Sequence, residues 1–456
     1  MRFGGPGCQT HSSLKMHTLE QLRSGELAGI TRLQLRCSLT EFPREIFDLA
    51  DSLEILDLSG NQLNALPDDL PRLHKLRVIF CSDNPFTELP EVLGQCQQLS
   101  MVGFKANRIT HVSPRALPPL LRWLILTDNA LTSLPAEIGQ CTHMQKLMLA
   151  GNQLRSLPPE LAHCTRLELL RISANQLTEL PQWLLHMPRL TWLAFAGNPF
   201  THDLEAQALA NAPTPRLEWP SLQLQHQLGE GASGVIRQAM LHTDSGEQAV
   251  AVKLFKGAVT SDGLPDCEMA ACMHAGEHPH LVSALARVCE HPDNQQALVM
   301  PLIAPEFANL AGPPSLESCT RDVYAQDKRF DWPTTLRIAR GMASATLHLH
   351  ARGILHGDLY AHNILHTAEG DALLSDFGAA AFFGVNDTAQ AQGLEQLEVR
   401  ALGCLLEELA IQCDATAHEA HLHRALTQLA QACMGNEPAQ RPRLAQVCDA
   451  LQVLHA

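Results

Sequence analysis

The sequence predicts a multidomain chain: an α/β solenoid of stacked repeats, then a separate α+β domain. Three observations predict it. Apolar residues from Leu53 to Leu190 recur every 22 or 23 residues. Seven Asn fall in register with that period. The period then stops, and the stretch Ile354 to Gly378 carries two polar islands, HGD-x4-N and DFG, each beside an apolar strand-like run.

Composition sets bounds on this reading. With 456 residues the chain is long enough for two or three full cores. No run of about 18 apolar residues occurs, so no membrane span is expected. The N-terminal stretch MRFGGPGCQTHSSLK lacks the apolar core of a secretory signal. The 14 Cys show no CxxC pairing or Cys/His metal spacing, which favours reduced thiols and a cytoplasmic location. Net charge is −15, and residues from Leu217 onward carry 28 Asp+Glu against 14 Lys+Arg. So acidic a second half argues against nucleic-acid binding.

Residues 1–13 read as disordered, and 14–29 as a capping helix over the first repeat. The repeat region is 30–212. Repeats start at Leu53, Leu76, Leu99, Leu121, Met144, Leu167 and Leu190, each following L-x-x-L-x-L-x-x-N and usually closing on Leu-Pro. The Asn are Asn61, Asn84, Asn107, Asn129, Asn152, Asn175 and Asn198; a degenerate repeat near Ile30 lacks one. This pattern resembles the leucine-rich repeat family. Each unit is one short strand and a return that cannot bury its apolar face alone, so neighbours stack. The Asn read as a structural ladder. Cys96, Cys141 and Cys164 read as small buried hydrophobes of the return segments. The concave strand face carries Ile55, Asp57, Val78, Phe80, Met101, Lys105, Trp123, Ile125, Lys146, Met148, Leu169, Arg171 and Trp192. So apolar a face has two readings: it takes a protein substrate or regulator, or it packs on the chain's own second half.

A helical stretch follows, with Pro213 and Pro215 in a linker over 213–221, and a second domain over 222–456. The second domain opens on Leu228, Gly229, Gly231, Gly234 and Ile236, a GxGxxG that alone is weak and compatible with a dinucleotide fingerprint. Here a strand follows instead of a helix, and Val250-Ala-Val-Lys253 comes next. Strand, Gly loop, strand, and strand with Lys resemble the nucleotide lid of the protein kinase family, a bilobal α+β fold. The resemblance implies that the three glycines let backbone approach the phosphates of ATP. Ile236 packs on adenine, Lys253 holds the α- and β-phosphates, Glu268 pairs with Lys253, and Met300 is the gatekeeper.

Three oxygen-bearing side chains mark the central stretch. Asp358 lies five residues before Asn363, and Asp376 lies thirteen after it. By resemblance to the kinase catalytic loop, Asp358 is the base, and Asn363 and Asp376 hold Mg²⁺, a hard cation suited to oxygen. Three departures from the family pattern stand out. The HRD arginine is Gly357, the usual loop lysine is Tyr360, and the segment Ala379 to Glu395 has one hydroxyl residue, Thr388, and no APE. Without that arginine a phosphorylated-loop switch lacks its receptor. Glu398 stands for the Asp of the family's DxWxLG helix, and Arg441 for an arginine whose usual APE partner is missing here. The expected activity is Mg-ATP-dependent serine/threonine protein phosphorylation, since the tyrosine-kinase AAR or RAA run is absent. A small-molecule phosphotransferase, which also carries HGD-x4-N, and an ATP-binding pseudokinase scaffold are the alternatives.

Overall fold

The computed structural model describes residues 16–211, 215–231, 233–243, 246–256, 259–260, 262–386 and 388–455. The expected disordered stretch, 1–13, lies outside them, as do 14 and 15 of the capping segment. Helix α1, Leu19–Arg23, lies in that segment and starts on a reciprocal cap. The Thr18 hydroxyl accepts from the Gln21 amide at 3.1 Å, and the Gln21 side chain accepts from the Thr18 amide at 3.0 Å. Leu22 is buried below it.

The repeats build one parallel sheet of eight strands in sequence order. They are β1 Arg32–Gln34, β2 Ile55–Asp57, β3 Val78–Phe80, β4 Met101–Gly103, β5 Trp123–Ile125, β6 Lys146–Met148, β7 Leu169–Arg171 and β8 Trp192–Ala194. Each return begins where the Leu-Pro pairs predict a break. Pro90, Pro135, Pro158 and Pro181 are extended and immediately precede 3-10 turns. The Asn ladder is structural, as expected. Asn84 donates to Leu58 O at 3.0 Å and accepts from Leu63 N at 2.9 Å, and Asn175 repeats the pattern with Leu149 O and Leu154 N. Buried backbone groups between turns are thereby satisfied. Cys96, Cys141 and Cys164 are buried.

Helix α2, His202–Asn211, ends the array. A six-stranded sheet follows, in the order β10-β11-β12-β14-β13-β9. Its strands are β9 Arg216–Glu218, β10 Leu222–Glu230, β11 Gly234–Thr243, β12 Gly246–Phe255, β13 Ala286–Cys289 and β14 Ala297–Pro301, with helix α3, Pro265–Ala275, between β12 and β13. The expected linker 213–221 is therefore not a plain connector: β9 pairs in parallel with β13 and closes the sheet edge. Pro213 lies outside the described residues, Pro215 stands just before β9, and edge backbone groups gain partners by joining the sheet. Beyond this sheet lie β15 Ala308–Asn309, α4 Trp332–Ala351, β16 Ile354–Leu355, β17 Ile364–His366, β18 Ala372–Leu374, β19 Ala381–Phe382, α5 Thr388–Gln412, α6 Ala420–Cys433 and α7 Leu444–Gln452. Strand β17 pairs antiparallel with β15 and β18, and β16 with β19.

The two halves share cores. Leu169, Trp192 and Ala208 belong to the apolar cluster built on α4 and α5, while Leu355, Phe383 and Leu397 belong to the repeat cluster. Of the two readings of the concave face, packing on the second half holds at β7 and β8. Arg400 donates to Thr191 Oγ1 at 3.0 Å and Arg441 to Pro188 O at 2.8 Å. Arg122 donates to Glu317 O at 2.6 Å, and Thr320 donates to the Glu168 carboxylate. Arg441 thus finds backbone carbonyls, including one from the repeats, in the absence of the APE glutamate. No helix among the described residues is long and apolar enough to cross a membrane.

Candidate active site

A cavity of about 710 Å³ opens between the six-stranded sheet and the helical region. Of the residues expected to hold nucleotide or metal, Leu228, Gly229, Gly231, Ile236, Lys253, Glu268, Met300, Asn363 and Asp376 line it. Gly234 does not. Its place is on β11, where a Cβ would come within 2.6 Å of Leu254 O, so glycine there permits the close strand pairing. At Gly229 and Gly231 an added Cβ would meet nothing, leaving room along the lid.

Lys253 sits on β12 and Glu268 on α3, both buried, and the Lys253 ammonium donates to the Glu268 carboxylate. Burial alone would lower the Lys253 pKa, but Glu268 and then Asp376 outweigh it and raise it. Burial pushes Glu268 up to about 7 against the pull of Lys253. These shifts oppose each other across one contact; the mutual burial and the ammonium–carboxylate hydrogen bond are those of an ion pair.

The three central side chains are brought together by the β17–β18 hairpin. Ser375 donates to Asn363 O through its amide at 2.9 Å and its hydroxyl at 2.8 Å. The amide nitrogen of Asn363 donates to Asp358 O at 3.0 Å and to Asp358 Oδ2 at 2.8 Å, which turns the Asn363 oxygen away from Asp358. Asp376 sits at φ 59°, a backbone region unfavourable for a residue with a side chain and often found at functional positions. An amide oxygen and a carboxylate on the lining of this cavity fit Mg²⁺, which usually takes one or two protein carboxylates plus substrate oxygens. Among the described residues no cluster of three or more His, Cys, Asp or Glu forms a closed metal cage.

His356 ties the two polar islands together. Its Nδ1 accepts from the Asp358 amide at 3.3 Å, and its Nε2 donates to Ser375 O at 3.1 Å. Buried Glu398 holds the loop from behind, accepting from the amides of His356 at 3.2 Å and Gly357 at 2.9 Å. His350 Nε2 is 2.6 Å from the same carboxylate. Burial would raise the Glu398 pKa, but these donors hold it below the ordinary value. His362 lies over Asp322 at 2.8 Å and is shifted up: burial opposes its charge, and Asp322 more than compensates.

The front of the loop meets the repeats. Arg171, on β7, donates through Nη1 to Gly357 O at 3.0 Å, through Nε to Asp262 Oδ1 at 2.8 Å, and through Nη2 to the Asp358 carboxylate. Trp192, on β8, donates to Leu359 O at 3.0 Å and stacks on Tyr360 with ring centroids 4.1 Å apart. Burial works against the Asp358 charge, yet Arg171, His362 and His356 keep its pKa below the usual carboxylate value. Gly357 has φ 71°, and a Cβ there would lie 2.5 Å from Leu193 O and 2.8 Å from Ala379 O. Glycine at that point is therefore required by the left-handed backbone and by two carbonyls, one of them from the docked repeat. The repeat period alone puts Arg171 and Trp192 on the concave face, and no motif marks Asp262. The available signal was the run His356 to Asn363, which has no Lys or Arg, in a chain whose repeat face carries Arg171 near its end.

Comparison with known proteins agrees with both halves. Residues 222–404 match the family model for protein tyrosine and serine/threonine kinase. Residues 142–200 and 52–73 match leucine-rich repeat models. Serine/threonine-protein kinase PknK of Mycobacterium tuberculosis is 32% identical over 36% of this chain and 14% of its own length. The nodulation receptor kinase of Pisum sativum is 28% identical over 48% of this chain and 22% of its own. CBL-interacting protein kinase 22 of Oryza sativa is 33% identical over 34% of this chain and 35% of its own. The matches thus span only a minor part of these relatives.

Proposed function

Because this chain joins leucine-rich repeats to a protein tyrosine and serine/threonine kinase domain, we propose that it is a Mg-ATP-dependent serine/threonine protein kinase. The observation that carries the proposal is the gathering of Lys253, Glu268, Asn363 and Asp376 around one cavity, with Asp358 bonded to Asn363. Lys253 reaches toward the α- and β-phosphates of the nucleotide. Asp358 orients the acceptor hydroxyl and takes its proton. The acceptor oxygen bonds to the γ-phosphorus, the bond from that phosphorus to the β–γ bridging oxygen breaks, and ADP leaves with the electron pair. Asn363 and Asp376 would hold Mg²⁺, which would supply neutralisation of the phosphate charge. Such catalysis is positioning plus electrostatics, which suits a site of pre-bonded groups. The short segment between Gly378 and α5, with Gly357 in place of an arginine, supports activity that does not wait for loop phosphorylation.

A second reading has its own observation. The repeats cover Leu359 and Tyr360, and the Asp358 side chain is 16% exposed. A small hydroxyl compound reaches such a carboxylate more readily than a folded protein does. The test is transfer from γ-labelled ATP with Mg²⁺, comparing wild type with Asp358→Ala on the chain itself, generic Ser/Thr protein substrates and a small-molecule panel. Label on Ser/Thr protein acceptors, lost in the variant and on chelation of Mg²⁺, supports the proposal. Label only on small molecules supports the second reading. Nucleotide binding without any transfer sinks both and leaves an ATP-binding scaffold, whose concave face, at half-buried Ile55, Asp57 and Phe80, then serves a protein partner.

A further inference from the structure

The loop that carries Asp358 has no Lys or Arg of its own: His356 to Asn363 reads HGDLYAHN. The cation bonded to Asp358 comes from the repeat array, 187 residues away in sequence. Arg171 is 2% exposed and uses donors on all three guanidinium nitrogens for Asp262, Gly357 and Asp358. The other Asp358 oxygen is held by Asn363 at 2.8 Å, so the carboxylate is fixed on both sides. Its flanking carbonyls are fixed too: Gly357 O accepts from Arg171 and Leu359 O from Trp192.

Burying a guanidinium costs several kcal/mol unless its partners are well placed. Packing alone does not require one here. Leu169, two residues earlier on the same strand, is equally buried without any polar bond from its side chain. The rest of the site is assembled rather than blocked. Lys253 and Glu268 are paired, and Asp376 faces the open cavity. Asp262, the second carboxylate on Arg171, borders the same place. A Cβ on Gly378 would lie 3.8 Å from both Asp262 Cβ and Glu268 Oε2, and 3.1 Å from Asp376 Oδ1. Arg171 therefore bridges the segment leading into α3 and the catalytic loop, through a rigid planar fork.

We infer that Arg171 is a positioning residue of the phosphoryl-transfer centre, so that the repeat array completes the catalytic site instead of standing apart as a recruiting module. The inference rests on the kinase reading above. Repeat β7 holds Asp358 in the orientation in which it meets the acceptor hydroxyl, and β8 keeps the adjoining backbone from moving.

The experiment uses the full chain, Mg-ATP and the best acceptor found for wild type, and measures kcat and the KM for ATP. Wild type is measured first: if it transfers phosphate to no acceptor, the kinase reading itself fails. With wild type active, Arg171→Ala is expected to lower kcat about 100-fold while the KM for ATP and the rise in Tm on adding ATP stay near wild type. Guanidinium ion at millimolar concentration is expected to restore part of the lost kcat, which a purely structural loss would not show. Arg171→Lys is expected to lie between, because it keeps the charge and loses the fork. An unchanged kcat in Arg171→Ala overturns the inference. A raised kcat also overturns it and makes the repeat contact a plug over Asp358. If Arg171→Ala does not fold, Arg171→Lys decides: reduced kcat at constant KM for ATP upholds the inference, and wild-type kcat overturns it.

Discussion

Two tryptophans occupy the same register position on the repeat sheet, three strands apart. Trp123 on β5 and Trp192 on β8 lie in one row with Lys146 and Leu169 between them. Trp123 is half-buried, its Nε1 has no hydrogen-bond partner, and the Lys146 ammonium lies 4.4 Å from its ring centroid. Trp192 is 2% exposed, bonded to Leu359 O and stacked on Tyr360. The next row makes the same point: Ile125 and Met148 are half-buried, while Arg171 is enclosed by carboxylates. A repeat array supplies equivalent positions. What each one faces decides whether it is surface, core or part of a site.

The sharpest way to break the comparison is to truncate both tryptophans. Trp192→Ala should cost roughly 3–5 kcal/mol of stability and lower kcat as well, since the loop loses its front support. Trp123→Ala should cost about 1 kcal/mol and leave kcat unchanged. Denaturant midpoints and steady-state rates read both, and equal losses would end the distinction.

Support from the opposite side of the loop can be weighed in the same assay. Glu398→Gln replaces an acceptor that holds two amides and His350, and turns an NH₂ group toward donors. A loss of roughly 3–5 kcal/mol is expected. Because the folded pKa of Glu398 is depressed, its ionised form stabilises the fold above the ordinary carboxylate range. That contribution fades as the pH falls through the depressed value. Acid unfolding of the variant should lack this component.

A smaller effect is expected at the contact point itself. Gly357→Ala places a Cβ against Leu193 O at positive φ, and should cost about 1–3 kcal/mol and lower kcat through the displaced loop. Wild-type melting and kcat in this variant would mean that the repeat does not constrain Gly357. The smallest effect belongs to Tyr360→Phe. The Tyr360 hydroxyl is buried without a hydrogen-bond partner, so removing it should change stability by less than about 1 kcal/mol and keep the stack on Trp192. A large loss would show that the hydroxyl matters to the loop.

Much of the fold was legible from short-range pattern. The period of 22 or 23 and the in-register Asn specify a parallel ladder because each repeat's unpaired backbone and apolar face need the next one. The Leu-Pro pairs mark where the returns begin because proline suits extended backbone at a turn's start. The cavity lining was legible for a similar reason: the Gly loop, Lys253, Asn363 and Asp376 are each announced by their neighbours. Less legible was the stretch 213–221, where proline suggested a linker and the sheet edge took Arg216–Glu218 as β9.

By itself, then, the sequence pointed to the two kinds of domain and to Lys253, Glu268, Asn363 and Asp376 among the polar side chains that face the cavity, through interactions spanning a few residues or one repeat. Only the tertiary structure decided that Arg171 meets Asp358, that Trp192 holds Leu359, that Glu398 braces Gly357 and that Arg441 reaches Pro188. Those contacts join residues as far as 253 positions apart. They exist because two separately patterned surfaces come to rest on each other, and no local spacing in either one encodes where the other will lie.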